Sequence, residues 1–126
     1  MTAIPITTTF IAFYAIALVI LTGWIGIYRG KHGVLRGHGG DTVLEKRIRY
    51  HGNLIENAPA MALVLGASEM LGMTSWILWL AVGAFVAGRI LYFYLYDKEV
   101  RALAMSLTQF PAGLLGLWCL YAVYMS

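Results

Sequence analysis

Long uninterrupted apolar runs dominate this chain. Stretches 1–28, 57–68, 70–88 and 102–126 contain no Asp, Glu, Lys or Arg, and Glu69 alone separates the second run from the third. A helix needs about 20 mostly apolar residues to cross the hydrocarbon core of a bilayer. The pattern therefore predicts four membrane-spanning helices, at approximately Ile4–Tyr28, Thr42–Met73, Ser75–Tyr96 and Val100–Met125. Barrel strands are excluded, because they are about 10 residues long and alternate in polarity.

The composition agrees with this pattern. Of the 126 residues, 60% are hydrophobic and 12% are charged, whereas about 25% of the residues in a soluble domain are charged. We therefore expect an all-α membrane protein with one domain, residues 1–126, folded as a bundle of four transmembrane helices. The first run lacks a basic leader and is too long for the apolar part of a signal peptide, so we expect it to remain as a helix of the mature protein.

The basic residues indicate an orientation. All nine Lys and Arg lie in or beside the first and third loops: Arg29, Lys31, Arg36, Lys46, Arg47, Arg49, Arg89, Lys98 and Arg101. Cytoplasmic loops carry the excess of basic residues, so both termini are expected on the non-cytoplasmic side. The net charge of +3 then reflects topology and gives no reason to expect a nucleic-acid partner.

Local signals add detail to the helices and loops. The first loop, residues 30–41, holds five glycines and is expected to be mobile, because it has few side chains to pack. Thr42 and Glu45 have the spacing of a capping box at the start of helix two. Small residues, Gly83 and Ala87 among them, suggest close packing of helix three. His32 and His38 have no cysteine nearby, and no metal site is expected.

Polar residues inside the spans are the candidate chemistry. Glu45, Arg49, Asn53 and Glu56 recur every three or four residues and so share one face of helix two. On helix three, Arg89, Tyr92 and Tyr96 share a face in the same way, and Arg101 opens helix four. Such groups usually face a bundle interior or a cavity.

Two interpretations of these residues remain open at this point. Arginines that grip carboxylates, together with a carboxylate such as Glu56 for an ammonium group, suit a zwitterionic anion. An arginine near a thiol would also favour the thiolate. Alternatively, Arg49, Glu56 and Arg89 form ion pairs that only fix the register of the helices.

The residues around this stripe resemble a known family. Glu45–Asn57, followed by Ala58 and Pro59, is similar to the helix-two signature of the MAPEG family, the membrane-associated proteins in eicosanoid and glutathione metabolism. Gly88–Tyr96 resembles the third helix of that family, and Arg101 with Thr108–Ala112 resembles the fourth. The resemblance covers nearly the whole chain and is weakest in the first loop.

The resemblance implies a homotrimer that binds glutathione between neighbouring subunits near the cytoplasmic side. Carried over by position, it makes Arg101 the catalytic residue that stabilises the thiolate. The positions that bind glutathione or support its site are Arg49, Asn53, Glu56, Tyr92 and Tyr96. We add Arg89 to this binding set, because it shares a helix face with Tyr92 and Tyr96. The implied activity is that of a transferase or peroxidase acting on hydrophobic electrophiles or lipid hydroperoxides. We expect a bacterial member, resembling microsomal glutathione transferases, in the inner membrane.

Two other functions remain to be distinguished from this activity. Gly52 and Ala102 stand where eicosanoid enzymes of the family often carry a polar residue and a serine, and the family also includes non-catalytic lipid-binding proteins. A small multidrug exporter would have a similar length, but an arginine-rich pocket is unsuited to the cationic drugs such exporters favour. Glutathione binding, with or without turnover of an electrophile, separates these functions.

Overall fold

The computed structural model describes residues 3–125, and residues 1, 2 and 126 lie outside this range. It contains four helices, α1 (Pro5–His32), α2 (Thr42–Met70), α3 (Ser75–Tyr94) and α4 (Arg101–Tyr124). Within the described range the structure has no strand. The prediction of an all-α four-helix bundle is confirmed.

The expected number of apolar spans needs a correction. Three helices, α1, α3 and α4, are long and apolar enough to cross a membrane by length and composition, whereas α2 is not among them. The reason is the charged first half of α2, which carries Glu45, Lys46, Arg47, Arg49 and Glu56. Its second half is apolar and supplies much of the core. The charged first half of α2 is therefore the part of the bundle least suited to contact with lipid.

The core lies where α2 meets the other three helices. Leu54, Ala58, Met61 and Leu65 of α2 are buried there with side chains of the other helices: Ile6, Phe10, Leu78, Phe85 and Leu115. The rings of Phe10 and Phe85 meet edge to face, with centroids 5.2 Å apart. Large apolar side chains such as Val19 (74% exposed) and Leu63 (77%) cover the outside of the bundle.

The first turn of α1 is bound to the far end of α2. Glu69 accepts hydrogen bonds from the backbone N–H groups of Ile6 and Thr7, at 3.0 and 2.9 Å. The first N–H groups of a helix have no partner within the helix, and a carboxylate also offsets the positive end of the helix dipole. Glu69, the one charged residue between the second and third apolar runs, therefore has a structural role: it caps the first turn of α1.

The first loop is held at both ends. α1 continues four residues beyond the predicted end and stops at Gly33, whose φ of 67° is the left-handed conformation that favours glycine. Asp41, rather than the predicted Thr42, caps α2 by accepting from Val43 N and Leu44 N. The Tyr28 hydroxyl donates to Asp41 Oδ2 at 2.7 Å. Flanking side chains thus supply contacts that the loop's glycines lack.

Close packing of α3 and α4 occurs at Gly88, not at Gly83 as expected. A Cβ added to Gly88 would lie 2.6 Å from Thr108 Oγ1 and 2.8 Å from Thr108 N. A Cβ added to Gly83 would meet no atom of the described residues within 4 Å. The helices therefore cross beside Arg89, and this crossing fixes the backbone from which the candidate site is built.

Candidate functional site

Four of the predicted site residues form a continuous series from α3 to the start of α4. The guanidinium carbon of Arg89 lies 4.8 Å from the centre of the Tyr92 ring. Tyr92 and Tyr96 meet edge to face, with ring centres 5.8 Å apart. The guanidinium carbon of Arg101 lies 6.0 Å from the Tyr96 ring. The series leads towards the end of the bundle that carries loops 33–41 and 95–100, which we call the basic end.

The exposure of these residues changes along the series. Arg89 and Tyr92 are buried, at 5% exposure each, Tyr96 is half-buried, and Arg101 is exposed. Tyr96 also interacts electrostatically with Glu45 and Arg49 of α2. The structure therefore brings Arg49, Tyr96 and Arg101 to the accessible part of one site, with Tyr92 and Arg89 beneath them.

Two of the charged residues of α2 lie exposed on its surface. Arg49 and Glu56 are exposed, and neither makes a hydrogen bond or an ion pair with another residue in the range 3–125. Lys46 and Asp97 do form a pair, with Nζ 3.8 Å from Oδ2. The alternative in which Arg49, Glu56 and Arg89 pair with one another inside one chain is therefore wrong.

Asn53 lies behind this exposed face, in an amide chain that links α2 to α4. Asn57 Nδ2 donates to Asn53 O at 2.7 Å and to Asn53 Oδ1 at 3.2 Å. Gln109 Nε2 donates to Asn57 Oδ1 at 3.3 Å. Sequence reasoning missed Asn57 and Gln109 as parts of the site. Asn57 lies four residues after Asn53 on the same helix face, and this spacing was the available signal.

Arg89 is attached to α4 rather than to the exposed site. Its Nε and Nη2 both donate to Thr108 Oγ1, at 3.2 and 2.8 Å, and Nη2 lies 3.7 Å from Met105 Sδ. The Tyr50 hydroxyl donates to the backbone oxygen of Arg89 at 2.9 Å. These bonds tie α2, α3 and α4 together directly below Tyr92.

Lys46 fixes the aromatic residues of α3 from the side of α2. Its Nζ lies 4.8 Å from the centre of the Phe93 ring and 5.8 Å from that of Tyr96. Cation–π contacts of this kind contribute about 0.5–1 kcal/mol at exposed sites. The sequence analysis assigned Lys46 no role beyond topology, because its aromatic partners lie at the end of α3 and in the turn after it, far from Lys46 in sequence.

An apolar groove runs along the outside of α3 and α4. It has a volume of about 560 Å³, and Ser106 is the polar side chain among walls that include Leu80, Phe110 and Leu114. The groove reaches Leu103, in the turn of α4 that Arg101 begins. An apolar molecule in the surrounding membrane would have direct access to this groove.

Comparison with known proteins decides the family. Residues 7–121 of the chain match the MAPEG family. The chain belongs to the MAPEG family. The family predicted from Glu45–Asn57, Gly88–Tyr96 and Arg101 is thus confirmed, and the protein is an integral membrane protein.

Two curated relatives of this MAPEG protein come from Escherichia coli, strains K12 and O6:H1, and both are named inner membrane protein YecN. Each is 28% identical over 91 residues, which is 72% of this chain and 65% of the relative. The match thus covers just under two thirds of the length of the relatives. No solved structure matches the chain.

The site of this MAPEG protein offers two kinds of group at its accessible part. Arg49 and Arg101 supply positive charge there, and Glu56 is an exposed carboxylate seven residues further along α2, about 10 Å from Arg49 along the helix axis. Tyr96 adds a phenol between the two arginines. Within residues 3–125 no three His, Cys, Asp or Glu side chains come together as they would around a metal ion.

Proposed function

We propose that this protein is a membrane-bound glutathione-dependent transferase or peroxidase. The observation that carries the proposal is a set of charged side chains that lie exposed on membrane helices, Arg49, Glu56 and Arg101. None of them has an ion-pair partner among residues 3–125. Charged groups in such positions are costly unless they pair or mark a functional site. Glutathione carries two carboxylates and an ammonium group, and so offers a partner to each kind of charge.

We propose that a second copy of the chain completes this site, within a homotrimer. Arg49 and Glu56 face outward from one chain, so a ligand that binds them alone would leave its other side open. A neighbouring subunit would close that side and would shield the charges from lipid. In this arrangement Asn53 and Tyr92 support the ligand from behind, and Arg89 holds Tyr92 in place.

The proposed chemistry centres on Arg101. A guanidinium beside the glutathione sulfur favours loss of the thiol proton, because it stabilises the thiolate. In the transferase reaction a bond forms between this sulfur and an electrophilic carbon, and the leaving group departs with its electron pair. In the peroxidase reaction the thiolate takes the terminal oxygen of a lipid hydroperoxide and releases the alcohol. A second glutathione then gives the disulfide and water.

The groove along α3 and α4 is the proposed entry for the second substrate. Its apolar walls suit a hydrophobic electrophile or a lipid hydroperoxide, and it ends near Arg101. The same groove favours the second candidate function, a non-catalytic protein that binds lipid. For the location we propose the bacterial inner membrane, which the name of the YecN relatives specifies for those proteins.

The test is glutathione binding followed by turnover. Glutathione should raise the melting temperature of the detergent-solubilised protein, by an amount equivalent to about 2.7 kcal/mol at about 100 times its dissociation constant. Arg49→Ala and Glu56→Gln should remove most of this shift, while Arg36→Ala, in the exposed first loop, should retain it. Conjugation of a generic electrophile then identifies a transferase. Lipid binding without a glutathione shift or turnover would instead identify the non-catalytic function.

A further inference from the structure

A second cavity lies on the other side of Arg89, between α1, α2 and α3. Its volume is about 340 Å³, and its walls include Phe10 and Leu21 of α1, Leu54 of α2, and Val86 of α3. Phe10 and Leu21 are eleven residues apart, so the cavity extends about 16 Å along α1. Phe13 and Ile90, two further lining residues, are 70% and 52% exposed. The cavity therefore opens on the lipid-facing flank between α1 and α3.

One end of this cavity carries a charge with an unused donor. Arg89 lines the cavity and is 95% buried, since its exposure is 5%. Its Nε and Nη2 bind Thr108 Oγ1, which leaves Nη1 at the opposite edge of the planar group. Nη1 is buried and has no hydrogen-bond partner within residues 3–125. Tyr50 also lines the cavity, and its hydroxyl already donates to the backbone oxygen of Arg89.

The charge on Arg89 has no counter-ion among the described residues. No carboxylate of residues 3–125 lies within 4.0 Å of its guanidinium, and its side-chain contacts are a hydroxyl, a thioether and an aromatic ring. Arginine stays protonated in such surroundings. A buried charge is costly unless it is paired, so an anion at Nη1 would be strongly favoured.

We infer that this cavity binds a long-chain carboxylate, with its head on Arg89 Nη1 and its alkyl chain between α1 and α3. A carboxylate supplies the missing acceptor and the missing negative charge in one group. The apolar walls suit the alkyl chain, and a volume of about 340 Å³ lies at the lower end of the range for ligand pockets, which favours one chain over the two of a phospholipid. Glutathione is not part of this site, because none of Arg49, Glu56 and Arg101 lines the cavity.

A photoreactive probe tests this inference. The whole protein in nanodiscs of neutral phosphatidylcholine is exposed at neutral pH to a diazirine analogue of palmitate or, in parallel, to the matching analogue of hexadecanol. Mass spectrometry then locates the label. The acid should label segments 10–21 and 85–90 about tenfold more than the alcohol does, because the carboxylate forms a charge-assisted hydrogen bond with the guanidinium and the alcohol does not.

Two alanines of α1 provide a matched pair of variants. Ala17 lines the cavity, whereas Ala15 is exposed and does not. Ala17→Phe should lower labelling by the acid about tenfold, and Ala15→Phe should leave it unchanged. Arg89→Met should abolish the preference for acid over alcohol. Should Arg89→Met fail to fold, the pair of alanine variants still decides the outcome.

Three results would overturn the inference. Equal labelling of the wild-type protein by acid and alcohol would show that the cavity takes any alkyl chain. Equal labelling of Ala17→Phe and Ala15→Phe would place the probe outside the cavity. Label spread over all lipid-facing helices would indicate ordinary contact with the bilayer. None of these results depends on glutathione, so the inference and the proposed function fail or succeed separately.

Discussion

Gly88 lies against Thr108 so closely that any Cβ at position 88 would overlap the backbone of α4. Two of the three nearest atoms, Thr108 N at 2.8 Å and Ala104 O at 2.9 Å, belong to that backbone and cannot rotate away. The crossing also places Thr108 where Arg89 can bind it. A single hydrogen atom as side chain therefore sets the distance between the two helices that frame the site.

Gly88→Ala should destabilise the protein by about 1–3 kcal/mol, the usual cost of overpacking a core. Gly83→Ala on the same helix is the control. Its new methyl group has no neighbouring atom of residues 3–125 within 4 Å, and alanine is a better helix former than glycine. Thermal unfolding in detergent measures both. Equal melting temperatures for the two variants would contradict the close crossing.

Glu69→Ala should destabilise the protein by about 1–2 kcal/mol, as expected when a helix cap is lost. The substitution leaves the N–H groups of Ile6 and Thr7 without their carboxylate. Glu69→Gln keeps one acceptor oxygen and should lose less. Glu99→Ala, in an exposed loop, should leave the melting temperature unchanged; a similar loss there would point to a general effect of charge.

Arg101→Ala should reduce turnover more than it reduces glutathione affinity and should shift the pH–rate curve to higher pH. Without the guanidinium, the thiol pKa returns towards its free value of about 8.5. Arg101→Lys should recover part of the rate, because it keeps the charge and loses the planar fork. Lys98→Ala removes a nearby charge from the loop that precedes α4 and serves as the control. An unchanged pH–rate curve in folded Arg101→Ala would remove Arg101 from the mechanism.

The fall in melting temperature at acid pH should depend on Asp41. The hydrogen bond from Tyr28, followed by those from the backbone of Leu44 and Val43, lowers the pKa of the Asp41 carboxyl in the folded protein. A carboxyl with a lowered folded pKa contributes stability above its unfolded pKa of about 3.9, and this contribution is lost as pH falls through the folded pKa. Tyr28→Phe should therefore reduce the melting temperature near neutral pH and flatten its decline below about pH 4. Identical pH curves for wild type and variant would contradict this account.

The orientation of the bundle can be tested with single cysteines in a Cys119→Ala background. Leu35, 93% exposed in the first loop, should be protected from an impermeant thiol reagent in intact cells, because basic loops stay in the cytoplasm. Thr74, between α2 and α3, should react. The opposite pattern of labelling would reverse the predicted topology.

The sequence predicts the helices well because each depends on a local run of apolar residues. It was less informative where a residue's partner lies on another helix. Glu69 interrupts two apolar runs, and its role is visible only when Ile6 and Thr7, more than sixty residues earlier, are placed beside it. Asp41 was passed over for Thr42 because both can cap a helix, and the contact with Tyr28 that favours Asp41 is again between helices.

In the candidate site, too, contacts between helices were not predictable from the sequence. Helical spacing correctly placed Tyr92 and Tyr96 in contact, although α3 ends at Tyr94 rather than at the predicted Tyr96, which lies in the turn that follows. It also grouped Arg89 with the exposed arginines, but the bonds to Thr108 draw Arg89 under Tyr92 and into the protein. Spacing defines which face of a helix a residue occupies. The depth of that residue depends on how closely the next helix approaches, here at Gly88.

The uneven polarity of α2 has a consequence for how the chain enters the membrane. A segment with Glu45, Lys46, Arg47, Arg49 and Glu56 in its first half is a poor candidate for insertion by itself, since each charge near the centre of a span costs about 2.5–3.5 kcal/mol. α1 is far more apolar, and its first turn is bonded to Glu69 near the end of α2. We expect the two to leave the translocon as one hairpin, so that α1 acts as an intramolecular chaperone for the helix that carries Arg49 and Glu56.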